Sequence, residues 1–419
     1  MRRNESLIVI QSLVHKIILY MKRNYSWILL AFLSTSYSCK TTAQTAKNTD
    51  INNLKFTVEE APEWTKLLNR QHGWFGADGI FVLPANGVDK ADSSVENTIL
   101  FSDTMLGDIV NDRPKPGYIM IHNSVALLKG YEPKEENIQF KWKETKPRNE
   151  GSFFAPNTPN AKHDDYYWLG DGFVNHELGD KTYIFCYRVR DTADNSFLFQ
   201  QVGNAMIILP KGSKPPYTDQ KQVDAPIYAV DNTAKYPNNY ISFGSAVFPN
   251  TKSAGAPNPD GYVYVYGVGG DVKKVMVARV KATDFEDFSK WRYYDGSNWQ
   301  TDILKSATIA DRASNELSVT PLPDGRYAIV FQTDGIGSAV GLRLSTTPYG
   351  PFGPIIKIWE CTEQKESKNF IVYNAKVHPS LSKPGELLIS YNVGSFDFWN
   401  DVKEHSNFYR PRFIRVKLQ

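Results

Sequence analysis

The 419-residue chain contains three cysteines, Cys39, Cys186 and Cys361, and no two of them are close in sequence. That excludes a disulfide-dense scaffold and a CxxC-type zinc or redox site, so packing must hold the fold together. Long apolar runs are also missing: residues 27–33 supply about half of the ~20 residues a membrane helix needs. Beyond about residue 53 there is no sustained 3.6-residue periodicity, which argues against a helical protein. No HExxH, paired-histidine spacing, EF-hand loop, GxSxG elbow or P-loop occurs, so no cofactor and no catalytic transition metal is expected, although a structural Ca²⁺ stays compatible with the sequence. The GVGGD segment at residues 267–271 has no following helix and does not read as a dinucleotide site.

What is present first is an export signal. From Met21 the chain reads MKRNYSWILLAFLSTSYSCK: a basic start at Lys22 and Arg23, an apolar run, then small residues leading to Cys39. Cys39 resembles the lipidated cysteine of bacterial lipoproteins, and the alternative is ordinary cleavage after Ala43. Either route exports the product to the periplasm or cell surface. The expected organisation is a signal segment over residues 1–39, a linker over 40–53 and one folded unit over 54–419. Removing residues 1–39 takes away five basic groups (Arg2, Arg3, Lys16, Lys22, Arg23) and one acidic group (Glu5), which moves the net charge from +3 to −1. A near-neutral mature chain without a Lys/Arg cluster is not expected to bind nucleic acid, and its membrane contact would be confined to the lipid anchor.

With 41% hydrophobic and 22% charged residues the chain must fold. Short runs of Val, Ile, Tyr, Phe and Trp recur between Gly, Pro, Asn and Asp clusters, the signature of an all-β protein. One hairpin pattern repeats five times, at residues 78–104, 169–188, 243–267, 315–334 and 374–392. Its anchors, Asp78, Asp171, Ser245, Glu316 and Ala375, are 93, 74, 71 and 59 residues apart. The fourth unit completes four strands with VGLRLSTT and IIKIWEC, which predicts a five-bladed β-propeller rather than a pair of β-sandwiches. The fifth unit is one strand short, while LKFTVEE at residues 54–60 is spare. Pairing it with the terminal FIRVKL would close the ring and remove an exposed edge, for which a monomer is the default.

In such a blade the first strand's start and the second strand's end lie at one mouth. The repeats therefore predict that Asp78 with Asp103, Asp171 with Arg188, Glu316 with Gln332, and Asn374 with Asn392 meet at a single opening. Converging carboxylates suit glycoside hydrolysis, in which one acid protonates the leaving oxygen and another carboxylate attacks the sugar or activates water. Crowding would raise one pKa and keep a proton available. Each acid taken alone is equally ordinary turn chemistry. Trp74, Trp168, Tyr373 and Tyr391 are candidates to pack on sugar rings, with Arg188, Gln332, Asn374 and Asn392 holding hydroxyls, although packing between blades explains most such aromatics. His378 falls in the fifth first strand, either facing the channel or buried against backbone. Cys186 and Cys361 read as packed thiols.

Several segments together resemble a bacterial family of five-bladed propellers long labelled as of unknown function. They are ARVKATDFEDFSKWRYYDGSNW (278–299), SNELSVTPLPDGRYAIVF (314–331), STTPYGPFGP (345–354), YNAKVHPSL (373–381) with ISYNV (389–393), and YRPRFIRV (409–416). Some relatives of that family are endo-acting D-arabinofuranosidases, and the STTPYGPFGP element is shared with furanosidase and fructosidase propellers. The resemblance implies Asp78 and Asp103 as the leading catalytic pair, with Asp171 and Glu316 as orienting or acidic residues, and an oligo- or polysaccharide as partner. The long first hairpin loop, residues 85–97, departs from the pattern and bears on substrate identity. The main rival expectation is a glycan-binding surface lipoprotein without catalysis.

Overall fold

The computed structural model describes residues 49–192, 199–231, 239–270 and 272–419, so the signal segment and Cys39 lie outside the described residues. The chain is all-β, with two short α-helices among the described residues, Pro62–Leu67 and Phe398–Glu404. No helix among them is long and apolar enough to cross a membrane.

Five principal sheets follow one another along the sequence. The first joins Phe81–Pro84, Glu96–Phe101, Ser124–Lys129 and Ile138–Lys141, and the second joins Tyr166–Asn175, Lys181–Asp191, Phe199–Leu209 and Lys221–Ala225. The third, six-stranded, contains Tyr240–Asn250, Tyr262–Gly269 and Lys274–Lys281; the fourth runs from Leu317–Pro321 through Tyr327–Gln332 and Ala339–Ser345 to Ile356–Glu360. The fifth is built from Phe370–Val377, Glu386–Ser395 and Arg412–Leu418, and its fourth strand is Phe56–Glu60, antiparallel to Arg412–Leu418 with Phe56 opposite Leu418. That pairing gives Arg412–Leu418 a partner on both sides, so the last strand of the chain is no exposed edge.

Alternation along these strands places apolar side chains on both faces, and each face needs a neighbour. Phe81 and Leu100 of the first sheet pack with Leu169 and Ile184 of the second. Equivalent clusters join the second to the third, the third to the fourth and the fourth to the fifth. A further cluster brings Ile99 and Phe101 of the first sheet against Leu388 and Phe413 of the fifth. The first strands of successive sheets are neighbours: Phe81–Pro84 beside Tyr166–Asn175, then Tyr240–Asn250, Leu317–Pro321 and Phe370–Val377. Cys186 and Cys361 are buried and unpaired, as thiols that act as small hydrophobes are.

Candidate active site

The first strands of three sheets share a defect. Register shifts occur between Leu169 and Gly172 in the second sheet, between Phe243 and Ala246 in the third and between Tyr373 and Lys376 in the fifth. Each leaves two residues out of the ladder, and the anchors Asp171, Ser245 and Ala375 are among them. Bulges of this kind bend the strand and re-aim a side chain, which is why they recur beside functional sites. Gly170 and Gly244 let the second and third bulges approach closely, since a Cβ on Gly170 would stand 2.6 Å from the Gly244 carbonyl oxygen.

In the first sheet the defect widens into a full break. Strand His72–Ala77 stops and Phe81–Pro84 begins, Glu96–Phe101 gives way to Thr104–Val110, and Ile119–Ile121 gives way to Ser124–Lys129. Asp78, Asp103 and His122 are residues of these three gaps. Ser102 N–H donates to the Asp78 carbonyl at 3.0 Å and Asp78 N–H donates to the Asp103 carbonyl at 3.3 Å, the two-against-one count of a bulge. Gly79 makes the turn feasible: its φ is +62°, and a Cβ there would meet Ser102 Oγ at 2.6 Å.

The side chains at this break form one network. Asp78 Oδ2 accepts from the Tyr373 hydroxyl at 2.8 Å, and its Oδ1 is buried without a hydrogen-bond partner. Burial, and then the negative charges of Asp103 and Glu316, push the Asp78 carboxyl up to about 8. Asp103 Oδ1 lies 2.9 Å from His122 Nδ1, and the Tyr409 hydroxyl donates to the Asp103 carbonyl at 3.2 Å. Asp78 thus has the raised proton affinity of a buried carboxyl with acidic neighbours.

Glu316 stands immediately before the first strand of the fourth sheet. Its Oε2 receives the Lys376 ammonium at 2.6 Å, and its backbone N–H donates to Asn374 Oδ1 at 3.3 Å. Asn374 has φ +57°, a left-handed turn that an asparagine tolerates. Lys376 is buried, 4.4 Å from the centroid of the Phe81 ring. Burial pushes the Glu316 carboxyl up while Lys376 pulls it down.

A cavity of about 30 Å³ is lined from all five first strands by residues including Phe81, Asp171, Val247, Ser318 and Lys376. Asp171 Oδ1 accepts from its neighbour Gly172 N–H at 2.8 Å, and Oδ2 accepts from Val247 N–H at 2.7 Å. Burial still pushes this carboxyl up to about 7. His378 also lines the cavity, its Nε2 2.7 Å from Ser390 Oγ, and burial with the Lys376 charge lowers it to about 3.

The residues named from sequence therefore separate into groups. Asp78, Asp103, Tyr373 and Glu316 form one electrostatically linked set, with Asn374 bonded to Glu316. Asp171 and His378 face the inner cavity. The expected meeting of Asp171 with Arg188 does not occur: Arg188 pairs with Tyr167 across the strands, and its Nη1 donates to Asp224 Oδ1 at 2.5 Å. Trp74 is in the core between Phe101 and Phe140, Trp168 packs edge-on against Phe199, and the Tyr391 hydroxyl donates to Glu363 at 2.8 Å. Gln332 is fully buried and donates to the Gly337 carbonyl at 2.6 Å. Asn392 is buried opposite Tyr373, with neither end of its amide hydrogen-bonded within the protein. Among the described residues no group of three or more His, Cys, Asp or Glu side chains is arranged to hold a metal ion.

Three participants escaped the sequence reading: His122, Lys376 and Tyr409. His122 and Asn123 are a polar pair interrupting the apolar stretch IMIHNSVALL, and Lys376 is a lone cation in the strand FIVYNAKV. Both are visible as polar residues within otherwise apolar stretches, a signal that a charge or break is being accommodated.

Residues 62–418 match the family described as "Domain of unknown function (DUF5005)". The chain belongs to this family. No curated protein matches the sequence. Among solved structures, this DUF5005 chain shares its fold with a candidate hydrolase from Bacteroides ovatus, at 22% identity and TM-score 0.66 over 88% of this chain and 92% of that one. An α-L-arabinofuranosidase from Clostridium thermocellum is similar at 13% identity and TM-score 0.42, over 75% and 82% of the two chains. The catalytic domain of an α-L-arabinofuranosidase from Coprinopsis cinerea is similar at 9% identity and TM-score 0.43, over 90% and 98%.

Proposed function

We propose that this DUF5005 protein is a glycoside hydrolase on a five-bladed β-propeller, acting on a furanose-containing or other complex glycan of the D-arabinan type. The observation that supports the reading is the backbone contact of Asp78 with Asp103 at the break, together with the Asp78 carboxyl pushed up to about 8. One carboxyl protonated near neutral pH beside a second carboxylate is the minimum equipment for cleaving a glycosidic bond: the acid protonates the leaving oxygen, and the carboxylate attacks the sugar carbon or activates water. Tyr373 orients Asp78, and the Glu316–Lys376 pair sets the charge beneath it. The hub shared by five first strands and the pairing of Phe56–Glu60 with Arg412–Leu418 support the closed-ring reading.

The proposed setting is export with a lipid anchor on Cys39, as a monomer with its substrate outside the cytoplasm. The deciding experiment is product release by the purified protein from D-arabinan, L-arabinan, fructan and xylan, with Asp78→Asn and Asp103→Asn as controls. Fragments from the wild type that vanish in both variants establish the hydrolase and its linkage class. Binding of a glycan without any fragments would assign the protein to the non-catalytic surface lectins instead.

A further inference from the structure

The two acids at the first-sheet break have different neighbours, and that of Asp103 is a histidine. His122 is buried, its side chain 8% exposed, and three contacts fix it. Its backbone N–H donates to Ser152 Oγ at 2.9 Å, and its ring stacks on Tyr166 with centroids 3.9 Å apart and planes 12° apart. Nδ1 lies 2.9 Å from Asp103 Oδ1. The neighbouring Asn123 amide clamps the Phe154 backbone, accepting from its N–H at 2.9 Å and donating to its carbonyl at 2.8 Å.

The remaining ring nitrogen, Nε2, is buried and has no hydrogen-bond partner. A hydrogen on Nε2 would be an unsatisfied buried donor, at a cost of about 1–3 kcal/mol. A bare Nε2 lone pair costs less, which selects the tautomer with its hydrogen on Nδ1, aimed at Asp103. A donor there fixes the orientation of the Asp103 carboxyl, with Oδ1 held 2.9 Å from the ring. Asp78 is placed differently: its Oδ2 accepts from Tyr373, the Tyr409 hydroxyl also acts on it, and its Oδ1 is buried without a hydrogen-bond partner.

We propose that His122 is a positioning residue that assigns the roles of the pair, holding Asp103 as the carboxylate that attacks or activates water and leaving the shared proton on Asp78 as the acid. The inference rests on the hydrolase reading and deepens it. The charged and titratable groups around the dyad are Asp78 from its own sheet, Tyr166 from the second, Glu316 from the fourth, Tyr373 from the fifth and Tyr409 from the C-terminal segment. Arg148 stands 6.0 Å from the Tyr166 ring and pairs with Asp191, which also acts on Tyr166.

Two measurements test it separately from the activity. In ¹⁵N-labelled protein, long-range ¹H–¹⁵N spectra of the His122 ring are expected to show the Nδ1–H tautomer, and Asp103→Asn is expected to disturb it. An Nε2–H ring in the wild type would overturn the proposal whether or not a substrate is found. On a cleaved glycan, His122→Phe keeps the stack on Tyr166 but removes the donor. It is expected to lower kcat by about 10²-fold, the cost of a misplaced reacting group, and to move the acid limb of the pH profile upward. His122→Asn restores a donor near the Nδ1 position and is expected to recover most of the rate and the wild-type limb. A His122→Phe enzyme with an unaltered pH profile, or no recovery in a folded His122→Asn enzyme, would overturn it. Absence of hydrolysis by the wild type with the Nδ1–H tautomer present would defeat the hydrolase reading alone.

Discussion

The Tyr373 hydroxyl donates to Asp78 Oδ2 at 2.8 Å, joining the fifth sheet to the break in the first. This bond lowers the proton affinity of a carboxyl that burial and its acidic neighbours raise. Removing it in Tyr373→Phe is therefore expected to raise the Asp78 pKa further and to shift the alkaline limb of kcat/KM to higher pH, with a smaller change at the acid limb. The measurement is a pH–rate profile of wild type and variant on the same glycan.

The same raised carboxyl makes stability pH-dependent. The folded chain keeps a proton on Asp78 up to about 8, whereas an unfolded aspartate releases it near its ordinary value of about 3.9. The folded state binds more protons across that window, so its contribution is fully present below the lower value and lost as pH rises through the upper one. Asp78→Asn, which resembles the protonated acid, is expected to melt above the wild type at pH 8 to 9, with the difference shrinking toward pH 4. Thermal melts across that range check it, and equal differences at both ends would refute it.

Lys376 and Glu316 form a buried ion pair 2.6 Å apart. Removing one partner strands the other charge, so Lys376→Met is expected to destabilise the protein by about 3–5 kcal/mol. The double variant Lys376→Met/Glu316→Gln should recover much of this loss, because neither charge is then left unpaired. Denaturant titration of the single and double variants measures the coupling.

Gly79 tests whether the break is a requirement of the backbone. Its φ of +62° and the 2.6 Å approach to Ser102 Oγ leave no room for a side chain. Gly79→Ala is expected to cost about 2 kcal/mol or more and to impair catalysis beyond the stability loss, because Asp78 precedes it. Gly117→Ala, where a Cβ meets nothing within 4 Å, controls for the strain of a positive φ alone.

The repeats made the sheets and the Asp78–Asp103 neighbourhood legible, since counting along a hairpin finds residues that face each other. The same counting misplaced Arg188. The ladders on its two sides each carry an irregularity, one at Leu169 and Gly172 of the preceding strand and one between Arg188 and Val189, and each residue of slip changes what stands opposite. Trp74 and Tyr391 looked like sugar platforms because an aromatic a few residues from a polar hairpin position reads alike in a core and in a cleft. His122 was missed because its chemistry comes from Asp103 and Tyr166, residues distant in sequence.

By itself the sequence determined the all-β class, the repeated hairpin and the carboxylates available at its anchors, because alternation of side chains and turn residues are local properties of the chain. Only the tertiary structure decided which of those carboxylates share a site. Burial and the charges gathered from separate sheets raise Asp78, Lys376 arrives from the fifth sheet to hold Glu316, and two backbone N–H groups occupy Asp171. Such electrostatics depend on distances across sheets, and no pattern within one strand encodes them.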